Sequence, residues 1–178
     1  MPILCITGLM GSGKGEAADY ISKKYDYKII DYADVLREIC RREGLELTRD
    51  NLQNLRIKYG NTFLAEDVVE RVKKLKTDKI VLTSLRRSED FEIPKKEFGH
   101  KVKLIVIGAD AKIRFDRLKK RGRENDPKDF AEFERQETRE KEIFNFDKTF
   151  SYADFKITNN KKMDDMKREI DKVMKAIK

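Results

Sequence analysis

A glycine-rich segment near the start of the chain has the spacing of a phosphate-binding loop. From Gly8 to Lys14 it follows the pattern G-x-x-x-x-G-K, between an apolar run over 3–7 and a stretch with helical apolar periodicity. In that context backbone N–H groups surround an anion, and Lys14 neutralises the charge of a phosphoryl group in transfer. The residues expected to bind the phosphates of ATP are Gly8, Leu9, Met10, Gly11, Ser12, Gly13, Lys14, Gly15 and Glu16.

The residue after Lys14 departs from the usual motif. A serine or threonine commonly stands there and binds Mg²⁺ through its hydroxyl, whereas this chain has Gly15. We therefore predict no direct metal ligand among the side chains, and we expect Mg²⁺ to be held by phosphates, water and more distant groups. A purely structural glycine turn is the alternative reading of the loop, and the strand before it argues against that reading.

Three further polar segments lie at or beside short apolar runs. The sequence reads DYADVLR over 31–37, TSLRR over 83–87 and ADFKITNN over 153–160. In parallel sheets, ligands bind beyond the carboxyl ends of the strands. The three segments are therefore expected to gather around the phosphate loop.

Taken together, these motifs resemble the nucleoside monophosphate kinases. The Gly-Lys-Gly ending of the loop and the segment 31–37 are similar to adenylate kinases, and nearly the whole chain looks like a family of small adenylate-kinase-related proteins known mainly from archaea. A weaker similarity links 31–37 to the Asp-x-Asp-x-x-x-Arg pattern of dephospho-CoA kinases. The resemblance implies a P-loop kinase fold, with ATP and Mg²⁺ as cofactors and a small nucleotide-like acceptor.

The resemblance also implies an acceptor site. It places Arg37 and Arg86 on the acceptor phosphate, which a guanidinium binds through its fork of N–H donors. Asp34 takes the proton if the acceptor is a hydroxyl compound; for a phosphate acceptor it is a helix cap or a ligand of a metal-bound water. The resembling families have an aspartate where this chain has Thr83, so a carboxylate that would hold Mg²⁺ through water is replaced.

Two more regions are expected to act on the donor nucleotide. A basic segment supplies Arg117, Arg121 and Arg123, which by position would close over the donor as a lid and stabilise the transferring phosphoryl group. The alternative for each arginine is a solvated helix face. Gly122 is the expected hinge, and the resemblance places Asn159 beside the adenine, although an ordinary strand-to-helix turn fits it equally well.

The order of apolar runs predicts the elements that position these residues. Strands are expected over 3–7, 28–30, 80–82, 102–107 and 155–158, alternating with helices, which favours parallel pairing and right-handed crossovers. The predicted fold is a three-layer α/β/α P-loop NTPase fold with a five-stranded, mostly parallel sheet, as a single domain over 1–178. A helical acceptor-binding insert is expected over about 34–76 and a short lid over about 121–140.

Composition limits the class of protein further. The chain has 178 residues and a formal net charge of +8, which favours an anionic partner: a small phosphorylated ligand, a nucleic acid or a membrane surface. Cys5 and Cys40 have no CxxC partner, which argues against a disulfide framework and a zinc site. No apolar run is long enough for a signal peptide core or a membrane span, so we expect a cytoplasmic protein without a membrane partner.

The sequence thus favours an ATP-dependent nucleotide kinase that moves the γ-phosphoryl group to a nucleoside monophosphate. One alternative is a kinase of a hydroxyl acceptor such as dephospho-CoA, with Asp34 as the base. The other is a nucleotide-dependent RNA-binding protein or ATPase that uses the basic surface. Few aromatic residues accompany the basic segment, so a nucleic acid ranks second to a small nucleotide as the partner.

Overall fold

A computed structural model describes residues 2–124 and 126–177 of the chain. Its sheet has five strands in the order β2-β3-β1-β4-β5, and every pair is parallel. The strands are β1 (Ile3–Thr7), β2 (Lys28–Asp31), β3 (Ile80–Thr83), β4 (Val102–Gly108) and β5 (Phe155–Thr158). The predicted five-stranded sheet is confirmed, and it is wholly parallel where the sequence indicated a mostly parallel one.

Nine α-helices accompany the sheet within the described residues. They are α1 (Lys14–Tyr25), α2 (Tyr32–Arg42), α3 (Arg49–Tyr59), α4 (Phe63–Lys74), α5 (Glu89–Phe98), α6 (Ala111–Arg121), α7 (Phe130–Phe144), α8 (Phe146–Ser151) and α9 (Met163–Ala176). A 3₁₀ turn over Gly99–Lys101 leads into β4. The short helix α8 was not predicted, because six residues are too few to show a helical period.

The sheet is covered on both faces, which explains its continuous apolar strands. Leu4 and Ile6 of β1 face a core with α1 and α9, to which Ile21 and Ile170 contribute. The alternate residue Cys5 faces a second core, formed with α2, α4 and α5. Every residue of β1 is buried, so the strand that carries the phosphate loop is at the centre of the molecule.

The helices α2, α3 and α4 form the predicted insert between β2 and β3. Asp31 ends β2 and begins α2, because its Oδ1 accepts the N–H of Ala33 over 2.8 Å. The capping role considered for Asp34 is therefore wrong, since Asp31 performs it one turn earlier. Residues 1 and 178 of the predicted domain, and residue 125 of the predicted lid, lie outside the described residues.

Candidate active site

The loop between β1 and α1 turns through two left-handed backbone positions. Gly11 has a φ of 77° and Gly13 a φ of 95°, which residues with a Cβ rarely adopt. The N–H of Ser12 donates to the carbonyl of Leu9 over 3.1 Å. From the segment after β5, Asn159 donates through Nδ2 to the carbonyl of Ser12 over 2.8 Å. The predicted phosphate loop is thus held both from within and by the segment that follows β5.

Lys14 is the first residue of α1, and its side chain is half-buried among charged groups from other elements. Burial and the positive charge of Arg86 lower its pKa to about 8, and Arg121 acts in the same direction. The carboxylates of Glu140 and Asp31 oppose that shift. These side chains therefore share one neighbourhood at the N-terminus of α1, where the helix itself favours an anion.

The lowered pKa of Lys14 predicts a pH-dependent affinity for nucleotide. Phosphates favour the charged ammonium, so the affinity for ADP should be constant below pH 8 and fall by up to about tenfold per pH unit above it. Calorimetry at pH 7, 8 and 9 measures this, and near pH 9 binding should also take up close to one proton. A Lys14→Met variant is the control, because it should show no such slope. An ADP affinity that stays level from pH 7 to 9.5 would contradict the assignment.

Arg86 follows β3 and faces the last turns of α7. Its Nη1 donates to Oε1 of Glu140 over 2.6 Å, and its Cζ lies 5.3 Å from the centre of the Phe144 ring. The sequence placed Arg86 at the acceptor site, and the structure brings it close enough to Lys14 to lower the pKa of that lysine. Sequence reasoning missed Glu140, which stands 54 residues away from Arg86 in a helix with many similar charges.

Two further arginines and one buried carboxylate complete this cluster. Asp90 is fully buried, and its Oδ2 accepts the backbone N–H groups of Arg86 and Arg87 over 2.9 and 3.1 Å. Arg56 of α3 is also buried, with Nη1 3.8 Å from the same oxygen, and burial lowers its pKa. We call Arg56, Arg86 and Arg87 the arginine cluster. The sequence indicates this cluster only weakly. Its only signs there are that Arg87 is adjacent to Arg86 and that Arg56 follows an apolar residue.

Asp34 and Arg37 are paired with each other at the start of α2. Their side chains form an ion pair with each other, with Arg37 Nη1 2.6 Å from Asp34 Oδ1. The Asp34 side chain is 73% exposed and that of Arg37 is 42% exposed. No direct contact between Arg37 and Arg86 is described, so their predicted sharing of an acceptor phosphate stays a prediction.

Asp31 is the carboxylate that reaches the site. It ends β2 in register with Thr83 of β3, which in turn pairs with Ile6 of β1 just before the loop. Its charge raises the pKa of Lys14. The sequence analysis named Asp31 only as the first residue of its motif and proposed Asp34 as the base. Either residue could be the functional aspartate that stands at the start of the insert helix.

The predicted lid begins where α6 ends. Gly122 has a φ of 62° and closes α6 in the left-handed conformation that is common at the ends of helices, and its role as a hinge stays a prediction. Arg121 binds both carboxylate oxygens of Asp126, with Nε 2.9 Å from Oδ2. The backbone N–H of Arg123 donates to the same Oδ2 over 3.0 Å, while its side chain is exposed. Of these two arginines, only Arg121 is near enough to influence Lys14.

Arg117 lies beneath the loop. It donates through Nη2 to the Asn159 carbonyl over 2.8 Å and approaches the side-chain Oδ1 at 3.4 Å. Because Asn159 also holds Ser12, the two residues predicted to contact the donor nucleotide are joined to each other. Arg114, which the sequence did not single out, is buried and donates to the carbonyl of Met10 over 3.3 Å. It ties the loop to α6.

Direct metal ligands are scarce at this site. No group of three or more His, Cys, Asp or Glu residues within 2–124 and 126–177 is arranged to hold a metal ion. The hydroxyl of Thr83 is buried without a hydrogen-bond partner among the described residues, and Asp31 stands beside it. This pair fits a hydrated Mg²⁺ held mainly by phosphates, since both residues carry side-chain oxygens and pair with each other at the last positions of their strands.

Fold and site together define the class of protein. A glycine loop after the central strand, the strand order β2-β3-β1-β4-β5, and arginines around the lysine of the loop are the features of a P-loop kinase-like domain. In the described part of the chain, no helix has the length and apolar character that crossing a membrane requires.

Comparison with known sequences gives the family. A family model described as an AAA domain matches residues 7–134. A UPF0200 protein of Methanocaldococcus jannaschii is 34% identical over 99% of this chain and 91% of its own length. A UPF0200 protein of Thermococcus sibiricus is 29% identical over 98% of this chain and 95% of its own. The chain belongs to the AAA-domain family and to the UPF0200 family, which confirms the predicted relation to archaeal P-loop proteins.

Solved structures agree with the fold. Shikimate kinase from Acinetobacter baumannii in complex with shikimate superposes with a TM-score of 0.62 at 15% identity, covering 99% of this chain and 93% of that one. Shikimate kinase from Bacteroides thetaiotaomicron gives a TM-score of 0.64 at 14% identity, covering 99% and 98%. At such identities the likeness concerns the fold, and it confirms the predicted three-layer P-loop architecture.

Proposed function

We propose that this protein is an ATP-dependent phosphotransferase that moves the γ-phosphoryl group of ATP to a nucleoside monophosphate. The observation that carries the proposal is the closeness of Lys14 and Arg86, which reach one site from the ends of the neighbouring strands β1 and β3. Two cations whose charges disfavour each other are stabilised together by an anion between them. A phosphoryl group passing from donor to acceptor supplies that anion.

The donor side is the phosphate loop. Its backbone N–H groups and the N-terminus of α1 bind the β- and γ-phosphates of ATP. Lys14 neutralises the negative charge of the phosphoryl group during its transfer. Arg121 approaches from the end of α6 and stabilises the same charge, while Arg123 lies further along the lid. Asn159 and Arg117 support the loop from the adenine side.

The acceptor side is the arginine cluster. Arg86 presents its guanidinium beside Lys14, and Arg56 and Arg87 add positive charge behind it. Such a concentration of guanidinium groups suits an acceptor that already carries a phosphate. Phosphate oxygens attack without loss of a proton, so this reaction needs no strong base. Arg37, at the surface with Asp34, is assigned to the outer part of the acceptor.

The oxygens of Asp31 and Thr83 are the groups that would hold Mg²⁺ through water. When bound, the ion supplies charge neutralisation across the β- and γ-phosphates. Asp31 in the neighbouring strand thereby takes the role that the resembling families assign to an aspartate at the position of Thr83. Gly15 has no side chain that could bind the ion directly, so the phosphates would have to supply its direct ligands.

Asp31 and Asp34 provide a matched pair of variants. We expect Asp31→Asn to reduce kcat about a hundredfold, while Asp34→Asn stays within about threefold, because the charge of Asp31 acts on Lys14 whereas the Asp34 side chain is exposed and paired with Arg37. Asparagine caps a helix as well as aspartate does, so α2 should be retained in the first variant. Steady-state assays of ADP release measure both. The reverse order of effects would instead support a hydroxyl acceptor with Asp34 as its base.

The acceptor itself is tested by an assay panel. ADP release from ATP is followed with each nucleoside monophosphate, with dephospho-CoA, with nucleosides and with RNA. The proposal expects acceleration by one or more monophosphates, and loss of that acceleration in Arg86→Ala. Acceleration by dephospho-CoA or by nucleosides alone would replace it with the hydroxyl kinase, and acceleration by RNA alone with the RNA-dependent ATPase.

A further inference from the structure

The face of α7 that meets the arginine cluster carries one carboxylate and one aromatic ring. Glu140 and Phe144 are four residues apart and therefore lie on the same side of the helix. Both are buried, Glu140 with 6% and Phe144 with 7% of its surface exposed. A carboxylate is costly to bury without a cationic partner, and Arg86 is one such partner of Glu140.

Glu140 holds Arg86 in the way that an acceptor phosphate would. Its Oε1 lies 2.6 Å from Nη1 of Arg86, and carboxylate and phosphate oxygens bind a guanidinium with the same short charge-assisted geometry. Its negative charge also reaches Lys14. The carboxylate therefore occupies a donor of Arg86 that the proposed acceptor phosphate would need.

The ring of Phe144 contacts the three guanidinium groups of the arginine cluster. Its ring centre lies 5.3 Å from Cζ of Arg86, 5.6 Å from that of Arg87 and 5.9 Å from that of Arg56. Each guanidinium is attracted by the ring, and the ring keeps the three like charges together. Nε of Arg87 is buried and has no hydrogen-bond partner among the described side chains, so the cluster holds more donors than its protein acceptors use.

We propose that Glu140 is an internal competitor of the acceptor phosphate at Arg86, and that Phe144 is a positioning residue that keeps the arginine cluster assembled for that phosphate. This inference rests on the proposed function, because it takes Arg86 as the acceptor-phosphate ligand. In the resting protein Glu140 balances the charge of Arg86. An arriving phosphate displaces the carboxylate, which releases the last turns of α7 from Arg86 while Phe144 stays beneath the guanidiniums.

The two residues should therefore have opposite effects on the affinity for phosphate. We expect Glu140→Gln to increase the affinity for AMP and for inorganic phosphate about tenfold, and Phe144→Leu to decrease it about tenfold. The control for charge is Glu142→Gln, an exposed glutamate of the same helix. The control for lost aromatic volume is Phe146→Leu, because that ring is buried beside Phe144, at 5.9 Å between centres. Both controls should stay within about twofold.

The measurement is isothermal titration of AMP, and separately of inorganic phosphate, into protein whose loop is saturated with the β,γ-methylene analogue of ATP. The carbon bridge of this analogue cannot be cleaved by phosphoryl transfer, so the titration reports the acceptor side without turnover. Equal affinities in wild type and Glu140→Gln, or an equal gain in Glu142→Gln, would overturn the role of Glu140. If Phe144→Leu does not fold, the glutamate pair alone decides the matter.

Failure of this inference can be told apart from failure of the proposed function. If wild type phosphorylates a nucleoside monophosphate but Glu140→Gln binds none of the probes more tightly, the kinase stands and the competitor is rejected. If no monophosphate is phosphorylated, the proposed function fails. The titration with inorganic phosphate still tests whether Glu140 competes with phosphate for Arg86.

Discussion

Replacing Lys14 by methionine should reduce kcat for phosphoryl transfer about a thousandfold or more. The ammonium group is the cation of the phosphate loop. Removing such a group takes away both its charge in the transition state and its positioning of the phosphates, which typically lowers the rate by three or more orders of magnitude. The protein should remain folded, because burial and Arg86 already disfavour the charged form of Lys14, as its lowered pKa of about 8 shows. Methionine carries no charge, so the substitution removes this unfavourable charge from the folded protein.

Two measurements check this prediction. Steady-state assays give kcat, and thermal unfolding without nucleotide gives Tm, which should equal or exceed that of wild type. The control is Lys112→Met, since Lys112 is an exposed lysine in the first turn of α6. If the kcat of Lys14→Met stays within tenfold of wild type, the lysine of the loop does not take part in phosphoryl transfer. A large fall in Tm would show that the lysine is structural.

Gly13→Ala should abolish most nucleotide binding, whereas Gly15→Ala should be tolerated. Gly13 has a φ of 95°, and a Cβ there would lie 2.4 Å from Nδ2 of Asn159, the group that holds the Ser12 carbonyl. The left-handed backbone alone costs an alanine about 1–3 kcal/mol. The loop must then shift or release Asn159, and we expect the affinity for ADP to fall about a hundredfold.

Gly15 makes the matched control for this substitution. It lies in the first turn of α1, and nothing lies within 4 Å of a Cβ built there. Alanine at this position restricts the unfolded chain and should stabilise the protein by about 0.5 kcal/mol. Titration with ADP and thermal unfolding compare the two variants. Equal losses of affinity at both positions would mean that the loop is not held in the conformation described above.

The loop and the sheet were predictable because their signals are local. Seven consecutive residues from Gly8 to Lys14 define the loop, and the apolar runs that form the strands are short and continuous. The position of Arg86 directly after β3 was predictable as well, while its role at the acceptor phosphate stays a prediction that the resemblance to nucleotide kinases implies. Each of these inferences needed only the chain before and after the residue in question.

The partners of Arg86 were not predictable, because they come from distant helices. Glu140 belongs to α7 and Arg56 to α3, and neither differs in sequence context from the many charged residues that stay at the surface. Only the packing of the helices selects them. Asp90 is recognisable once the structure shows it buried beneath the N–H groups of the segment after β3.

The two aspartates show how an offset of one helical turn changes a role. The motif over 31–37 allowed the chemistry to be placed on Asp34, yet α2 begins at Tyr32, and its first turn directs Asp34 to the surface. Asp31 stays at the strand end in register with Thr83. A sequence pattern locates a helix start within a few residues, which is too coarse to choose between carboxylates three positions apart.

The central claim is that the phosphate loop and the arginine cluster form one phosphoryl-transfer site. Its most direct test is a ³¹P NMR time course of the wild-type protein with ATP, Mg²⁺ and a mixture of nucleoside monophosphates. We predict that the γ-phosphate signal of ATP decreases as nucleoside diphosphate signals grow, with little inorganic phosphate, and that Lys14→Met and Arg86→Ala each stop the exchange. Conversion of ATP to ADP and inorganic phosphate alone, or an unchanged ATP spectrum, would contradict the claim.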